Sequence, residues 1–443
     1  MEIFERFLML ERKIQEQLRV WKERDDRKSL VVTGARQVGK THAVERFGKE
    51  CYQESITINF KETPSAAAIF QGDLTVDGMV QAIRFRLPDH EIAPERTLLF
   101  FDEIQECPEA ITSLKFWTAD GRYDVIASGS LLGIDYNRPS SYPVGYVDYL
   151  TLRGLDFEEF LWAQGLGKDL TSSIHQMFDA RVQVPTAIHD QLMEHYRTFC
   201  ALGGMPEVIQ KYEESKDFRV ADRVQRALLQ DYLYDIAHYA SASEKIKAEK
   251  CFLSIAGQLL GKENHKFQYK TVERGGKAAK YYSSIDWLTR ADMASMSTNV
   301  TSASYDLTDY EVENNFRLYC TDVSLLIAMR DFALKTAIVE GTLSGNIKGG
   351  LYESFVADAL LKSGHTLHFY RNESNKREID FLIQDCGYVV PIEVKAGRAA
   401  ANSLKSVMRN GTGIELAYKV ADANVGVGED GVVTVPHYMA MYL

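Results

Sequence analysis

"VVTGARQVGKTHAV", Val31 to Val44, places glycines at 34 and 39 and follows the second directly with Lys40 and Thr41. Glycine, four residues, glycine, lysine, threonine is the phosphate-cradling loop pattern, and the preceding "SLVV" is a short apolar run that reads as a buried strand. Strand, glycine turn and helix arrive in the order such a loop needs. Gly34 and Gly39 let the backbone turn tightly and aim its N–H groups at phosphate oxygens, which the positive end of the following helix also attracts. The expected nucleotide-contacting run is Gly34, Ala35, Arg36, Gln37, Val38, Gly39, Lys40, Thr41 and His42. Within it Lys40 would reach the β- and γ-phosphates of ATP, and the Thr41 hydroxyl would ligate magnesium. A glycine turn with an ordinary surface lysine is the plainer alternative, so a second half of the site is required.

"TLLFFDEIQECP" supplies it. Thr97 to Phe101 read as a buried parallel strand that delivers Asp102 and Glu103 at its carboxyl end, where ligands bind in open α/β sheets. Asp102 would hold magnesium and Glu103 would polarise an attacking water, a task that calls for a carboxylate beside the phosphate. The competing reading is an acidic helix start. Around these motifs the chain alternates: "SITINF" (Ser55–Phe60) as a strand, a helix over Val76–Arg86, the "EAITSLKFW" helix, "YDVIASGS" (Tyr123–Ser130) as a strand, and "YVDYLTL" as another. Such alternation predicts an α/β fold, a parallel sheet with helices on both faces. Ser128 ends its strand and is a candidate γ-phosphate or water sensor, or equally a local turn former.

The chain has 443 residues, 45% of them hydrophobic and 26% charged, which suits two or three soluble globular domains. A net charge of −11 argues against wholesale coating by nucleic acid and leaves room for a local basic patch. Six scattered cysteines with no CxxC spacing suit reduced thiols in a cytoplasmic protein rather than a zinc site. The opening "MEIFERFLMLERK" is too charged for a secretory segment, and no apolar run is long enough to span a membrane.

From about Asp156 to Gln258 helical periodicity takes over. "LDFEEFLWAQG" has an acidic cap, and "RVADRVQRALLQDYLYDIAHY" sets Val220, Val224, Leu228, Leu229 and Leu233 near one stripe. Lys245 to Tyr282 then holds nine Lys or Arg against three Glu, a local formal charge of +6 in an acidic chain. Short helices here could form a winged-helix-like module that docks on DNA or RNA phosphates, although lysines along helices are commonly just a solvated face.

The C-terminal third carries a second constellation. "REIDFLIQDCGYVVPIEVKA" reads as a hairpin, with strands Arg377–Ile383 and Tyr388–Val394 about a turn at Asp385–Gly387. Alternation puts Glu393 and Lys395 on one face, with Asp380 near the level of Glu393 across the hairpin. Two carboxylates and an ammonium suit metal-dependent phosphodiester cleavage, and Glu353 in "LYESFVADALLKSG" could add a ligand. A cross-strand salt bridge is the alternative.

"GARQVGKT", "LLFFDEIQECP", "IASGSLLG", "SYPVGYVDYLTLRGLDFEEFL", "ALGGMPEVI", "NNFRLYCTDVSLL", "LYESFVADAL" and "REIDFLI…VPIEVKAG" occur in this order along the chain. In that order they resemble a widespread prokaryotic family of AAA+ ATPases with a C-terminal domain of unknown function, DUF4143. The resemblance implies an AAA+ core at 1–165, a helical and winged-helix-like region at 166–300, and a restriction-endonuclease-like domain at 301–443. It maps the phosphate-loop roles onto Gly34, Gly39, Lys40 and Thr41, the magnesium and water roles onto Asp102 and Glu103, and the sensor onto Ser128. The nuclease-like set falls on Glu353, Asp380, Glu393 and Lys395. One departure is Tyr146, where relatives commonly carry a basic residue; Arg36, Arg138 and Arg153 are candidates to complete the site. A homo-oligomer in which one subunit's arginine serves its neighbour is also implied. The expected function is ATP turnover coupled to a nuclease-like, nucleic-acid-handling domain, the alternative being an ATP-dependent switch whose C-terminal domain is inactive and binds a partner.

Overall fold

The computed structural model describes residues 10–129, 143–241, 243–261, 265–371, 378–385, 387–397, 401–410 and 414–443. Ser130, Arg138, Lys262, Glu263, Arg377 and Cys386, each used in the readings above, lie outside these. The chain forms two compact units, one of Arg12–Arg153 with the short return Arg290–Asp292, the other containing Gly154–Thr289 and Met293–Leu443.

The first unit is a five-stranded sheet with strand order β2-β3-β4-β1-β5, built from β1 (Ser29–Thr33), β2 (Glu54–Asn59), β3 (Thr97–Asp102), β4 (Asp124–Ser128) and β5 (Val147–Thr151). Every pairing in it is parallel. Helices α1 (Ile14–Glu23), α2 (Lys40–Cys51), α3 (Val76–Arg86) and α4 (Pro108–Asp120) accompany the strands, as the alternation predicts. β1, β3 and β4 are buried along their whole length, which is why they read as unbroken apolar runs rather than alternating ones. Phe60, Phe70, Phe101 and Trp117 knit the core on one face of the sheet, with Phe70 and Phe101 edge to face at 5.3 Å.

The second unit begins with helices α5 (Phe157–Ala163), α6 (Lys168–Asp179), α7 (Thr186–Leu202), α8 (Pro206–Ser215), α9 (Phe218–Tyr239), α10 (Lys245–Leu260), α11 (Tyr269–Val272) and α12 (Ala278–Arg290), the last residue of α12 counting with the first unit. An antiparallel pair follows, β6 (Ala294–Val300) and β7 (Glu311–Cys320), then α13 (Val323–Ala328), α14 (Phe332–Glu340) and α15 (Gly345–Lys362). The rest supplies β8 (His368–Arg371), β9 (Glu378–Asp385), β10 (Tyr388–Lys395), α16 (Asn402–Asn410), β11 (Tyr418–Ala421), β12 (Gly426–Val427) and β13 (Val433–Pro436). The eight strands make one mixed sheet, β12-β13-β11-β10-β9-β8-β6-β7.

The expected hairpin is present, with Tyr388 paired to Asp385 and Ile392 to Phe381. Its first strand runs two residues further than the turn chemistry suggests, through Gln384 and Asp385, because pairing with Val389 and Tyr388 extends to the tip. Cys107, Cys200, Cys251 and Cys320 are free and buried, while Cys51 is half-buried. Among the described residues no helix is long and apolar enough to cross a membrane.

Candidate nucleotide site and a buried charge cluster

The loop after β1 has the backbone the glycines were expected to allow. Gly34 sits at φ +142°, Gln37 at +62° and Gly39 at +92°, and Gly39 caps α2. A Cβ on Gly34 would lie 2.0 Å from the Leu152 carbonyl oxygen, so only glycine fits where the loop passes the chain just beyond β5. Lys40 folds back over the loop, its Nζ donating to the carbonyls of Gly34 at 2.9 Å and Ala35 at 2.8 Å. Burial lowers its pKa to about 8 against the pull of Glu103 and Asp102.

Parallel registry carries the remaining groups to the same edge of the sheet. Asn59, Asp102 and Ser128 end β2, β3 and β4, and Asn59 is paired in register with Asp102. The buried Asp102 carboxylate accepts from the Thr41 hydroxyl at 2.9 Å and the Asn59 amide at 2.9 Å through Oδ2, and from the Ser128 hydroxyl through Oδ1. A hydroxyl and a carboxylate joined at this distance, beside a cradle only glycine can form, are an oxygen donor set suited to magnesium and a phosphate chain. Glu103 follows at φ +52° and accepts from the Gln105 amide. Thr41, Asp102, Ser128 and Lys40 are thus assembled, with Glu103 next in the chain.

Asn59 was not singled out in the sequence, although its place near the end of "SITINF" is the signal: the last polar residue of an alternating strand, one strand over from Asp102. One further residue, Asp292, was missed outright, and it is the partner of Arg153, which the sequence offered as a candidate to complete the site. Arg153 Nη1 pairs with Asp292 Oδ1 at 3.2 Å, and Asp292 is buried although it lies far along the chain from the loop. Burial raises the Asp292 pKa, opposed by Arg153 and Lys40. Tyr146 is about half exposed, 47%.

The C-terminal constellation lies within the second unit. Asp380 Oδ2 accepts the Val394 N–H at 2.8 Å, Glu393 accepts the Leu404 N–H at 3.2 Å, and Lys395 Nζ stands 2.6 Å from Glu393. Glu353, on α15, faces a partner that the sequence reading did not include. Arg317 of β7 donates from Nη1 to Glu353 Oε1 at 2.8 Å, stands 3.8 Å from Asp380 Oδ1, and donates from Nη2 to Glu378. Tyr319 donates to Glu353 Oε1 at 2.5 Å, and the His265 ring bonds Oε2. Burial pushes the Glu353 carboxyl up, yet Arg317 and His265 together hold it down at about 2. Burial, with Glu353 as a charged neighbour, pushes Asp380 up to about 7 against Arg317. The guanidinium therefore fills the place between carboxylates that a divalent cation would take, and the residues present do not fit such a metal without displacing it. Among the described residues no three His, Cys, Asp or Glu side chains are grouped as metal ligands.

Residues 26–161 match the model of the AAA domain, residues 193–336 that of a domain of unknown function, DUF8612, and residues 348–436 that of another, DUF4143. No curated protein matches the chain. Among solved structures it is similar to the Aeropyrum pernix ORC1 protein in complex with DNA, at 11% identity over 74% of this chain and 92% of that one, with a TM-score of 0.28. AMPPCP-bound DnaA from Aquifex aeolicus gives 12% identity over 62% and 86%, with a TM-score of 0.28. Drosophila ORC bound to DNA gives 15% over 75% and 95%, with a TM-score of 0.24. Superpositions this loose carry no argument of their own. The domain matches and the loop geometry inside the first of them agree: the chain joins a match to the AAA domain, at residues 26–161, to a match to DUF4143, at residues 348–436.

Proposed function

We propose that the chain is a magnesium-dependent ATPase that works as a switch. Lys40 and the loop N–H groups hold the phosphates, Thr41 and Asp102 hold magnesium, Glu103 activates water, and Ser128 and Asn59 orient Asp102. The observation that carries this reading is the Thr41–Asp102 bond of 2.9 Å across the carboxyl edge of the parallel sheet, because it joins the two motif halves that only a nucleotide site needs together. Steady-state phosphate release tests it. Lys40→Ala is expected to lose nucleotide binding, and Glu103→Gln to bind ATP while turnover falls at least about a hundredfold. Normal turnover in both variants would end the assignment.

A three-part organisation, 1–165, 166–300 and 301–443, goes with this proposal. In the middle part, α10, α11 and α12 followed by the β6–β7 pair have the order of a winged-helix module, and they expose Lys250, Lys270, Arg274, Lys277 and Lys280. Ile246, Leu253 and Tyr282 are exposed in the same stretch, so its exposed side chains include both apolar and cationic groups, a mixture that suits nucleic-acid binding. Glu273 offsets part of the charge, lying 2.6 Å from Lys280. DNA or RNA is the partner we assign to this surface.

For the C-terminal part the geometry favours holding over cutting. Arg317 neutralises Glu353 and Asp380 from within, so the set Glu353, Asp380, Glu393 and Lys395 serves as a buried scaffold in this reading rather than as a nuclease centre. Cleavage of labelled DNA or RNA by the wild type with magnesium or manganese, lost in Asp380→Ala and Lys395→Ala, would reverse it.

A further inference from the structure

Three residues tie the nucleotide loop to the points where the polypeptide enters or leaves the first unit. Arg12 opens that unit, Arg153 closes its main run, and Asp292 closes the return segment Arg290–Asp292. The buried Arg12 guanidinium donates from Nη1 to the Val38 carbonyl at 3.0 Å and from Nη2 to the Arg153 carbonyl at 2.6 Å. Arg153 pairs with Asp292 at 3.2 Å. The backbone N–H of Ala35 is turned to the Asp292 carboxylate, and Lys40 is among the cations that act on it. Asp292 Oδ2 is buried with no hydrogen-bond partner, a costly state for a carboxylate oxygen unless something else uses it. Each end of the loop's first half is therefore gripped, Ala35 by Asp292 and Val38 by Arg12, and both grips meet at Arg153.

We propose that Asp292 is a positioning residue that discriminates nucleoside triphosphate from diphosphate, and that the Arg12–Arg153–Asp292 chain relays the difference to Gly154 and Met293, the residues at which the polypeptide leaves the unit. The inference rests on the nucleotide site proposed above. A γ-phosphate adds negative charge at the loop, where the Gly34 and Ala35 carbonyls hold the Lys40 ammonium, and the Asp292 carboxylate competes with that charge by repelling it across the same loop. Arg153 moderates that competition by neutralising Asp292. Diphosphate leaves the carboxylate in place; triphosphate pushes it off the loop and with it the segment that continues into β6.

The two members of the pair must then move nucleotide preference in opposite directions, a signature that a merely structural role does not produce. Titration of ATP and ADP into the full chain with magnesium reads it. Asp292→Asn is expected to raise the ATP:ADP affinity ratio at least about fivefold, Asp292→Glu to restore it, and Arg153→Gln to lower it by a similar factor. Lys40→Ala is the control for the underlying site: if it still binds nucleotide, the site reading itself fails. If Lys40→Ala abolishes binding while the ratio stays within about twofold of wild type in both Asp292→Asn and Arg153→Gln, the discrimination proposal is overturned and the site stands. The relay is read by amide hydrogen exchange with a non-hydrolysable ATP analogue. Wild type is expected to change protection at 152–155 and 291–294, and Asp292→Asn to show no such change; equal responses in both would overturn the relay.

Discussion

Arg317 shows what a single buried charge commits a protein to. Its side chain is 2% exposed and touches Glu353, Glu378 and the ring of Phe369, so removing it leaves the buried Glu353 carboxylate with His265 alone to balance it. Loss of one partner from such a pair costs about 3–5 kcal/mol. Arg317→Leu is expected to destabilise the second unit by that amount in urea unfolding, and the double change Arg317→Leu with Glu353→Leu to recover part of it. An effect below about 1 kcal/mol would mean the cluster is solvated. Residues of this sort were the hardest to see in the sequence. Gly34, Lys40, Thr41 and Asp102 were legible because phosphate chemistry fixes their types and spacing within short stretches. Arg317 and Asp292 were not, because their partners lie tens to hundreds of residues away and only the tertiary fold brings them together. A charge inside an apolar run, as in "NNFRLYC", is the faint signal that was available.

Local chemistry wrote the elements more plainly. The helix expected over Val76–Arg86 has those bounds, with Thr75 accepting the Gly78 N–H as its cap. Asp156 starts α5 with a capping box: its side chain accepts the Glu159 N–H at 2.8 Å, and Glu159 reaches back to the Asp156 N–H at 3.2 Å. Two otherwise orphaned donors are satisfied at once. Asp156→Ala is therefore expected to cost about 1 kcal/mol in thermal unfolding, Asp156→Asn clearly less. Where an element was misjudged, at the tip of the β9–β10 hairpin, "DCG" (385–387) looks like a turn to local rules, and cross-strand pairing takes Asp385 into the strand. Turn propensity is worth less than two added ladder bonds at that position.

At the scale of the whole molecule, buried titratable groups set the response to acid. His437 lies fully buried against Tyr352, with ring centroids 4.2 Å apart, and burial holds its pKa down at about 4 against the pull of Asp422. The unfolded chain binds a proton at this side chain below about pH 6.5 while the folded chain does not, so folding stability falls as pH drops from about 6.5 to about 4. The loss is about 3 kcal/mol in full, and above pH 6.5 the residue contributes no slope. His437→Phe, of similar shape, is expected to flatten the stability profile between pH 6.5 and 4 by about that amount relative to wild type; identical slopes would place the acid response elsewhere.

The broad division into a phosphate-loop sheet, a helical middle and an α/β end was readable from periodicity and motif order. How the last two are bound to each other was not. β6 pairs with β7 on one side and with β8 on the other, so the final strand of the helical segment lies inside the eight-stranded sheet of the C-terminal segment. The boundary at 300/301 falls directly after β6, and a cut there would strip both hydrogen-bonding edges from one strand and open the sheet in two. A break in the chain at 300/301 therefore divides one sheet, and removing the helical middle up to β6 takes Arg290–Asp292 from the first unit, to which that segment belongs. What reads as three modules folds as two.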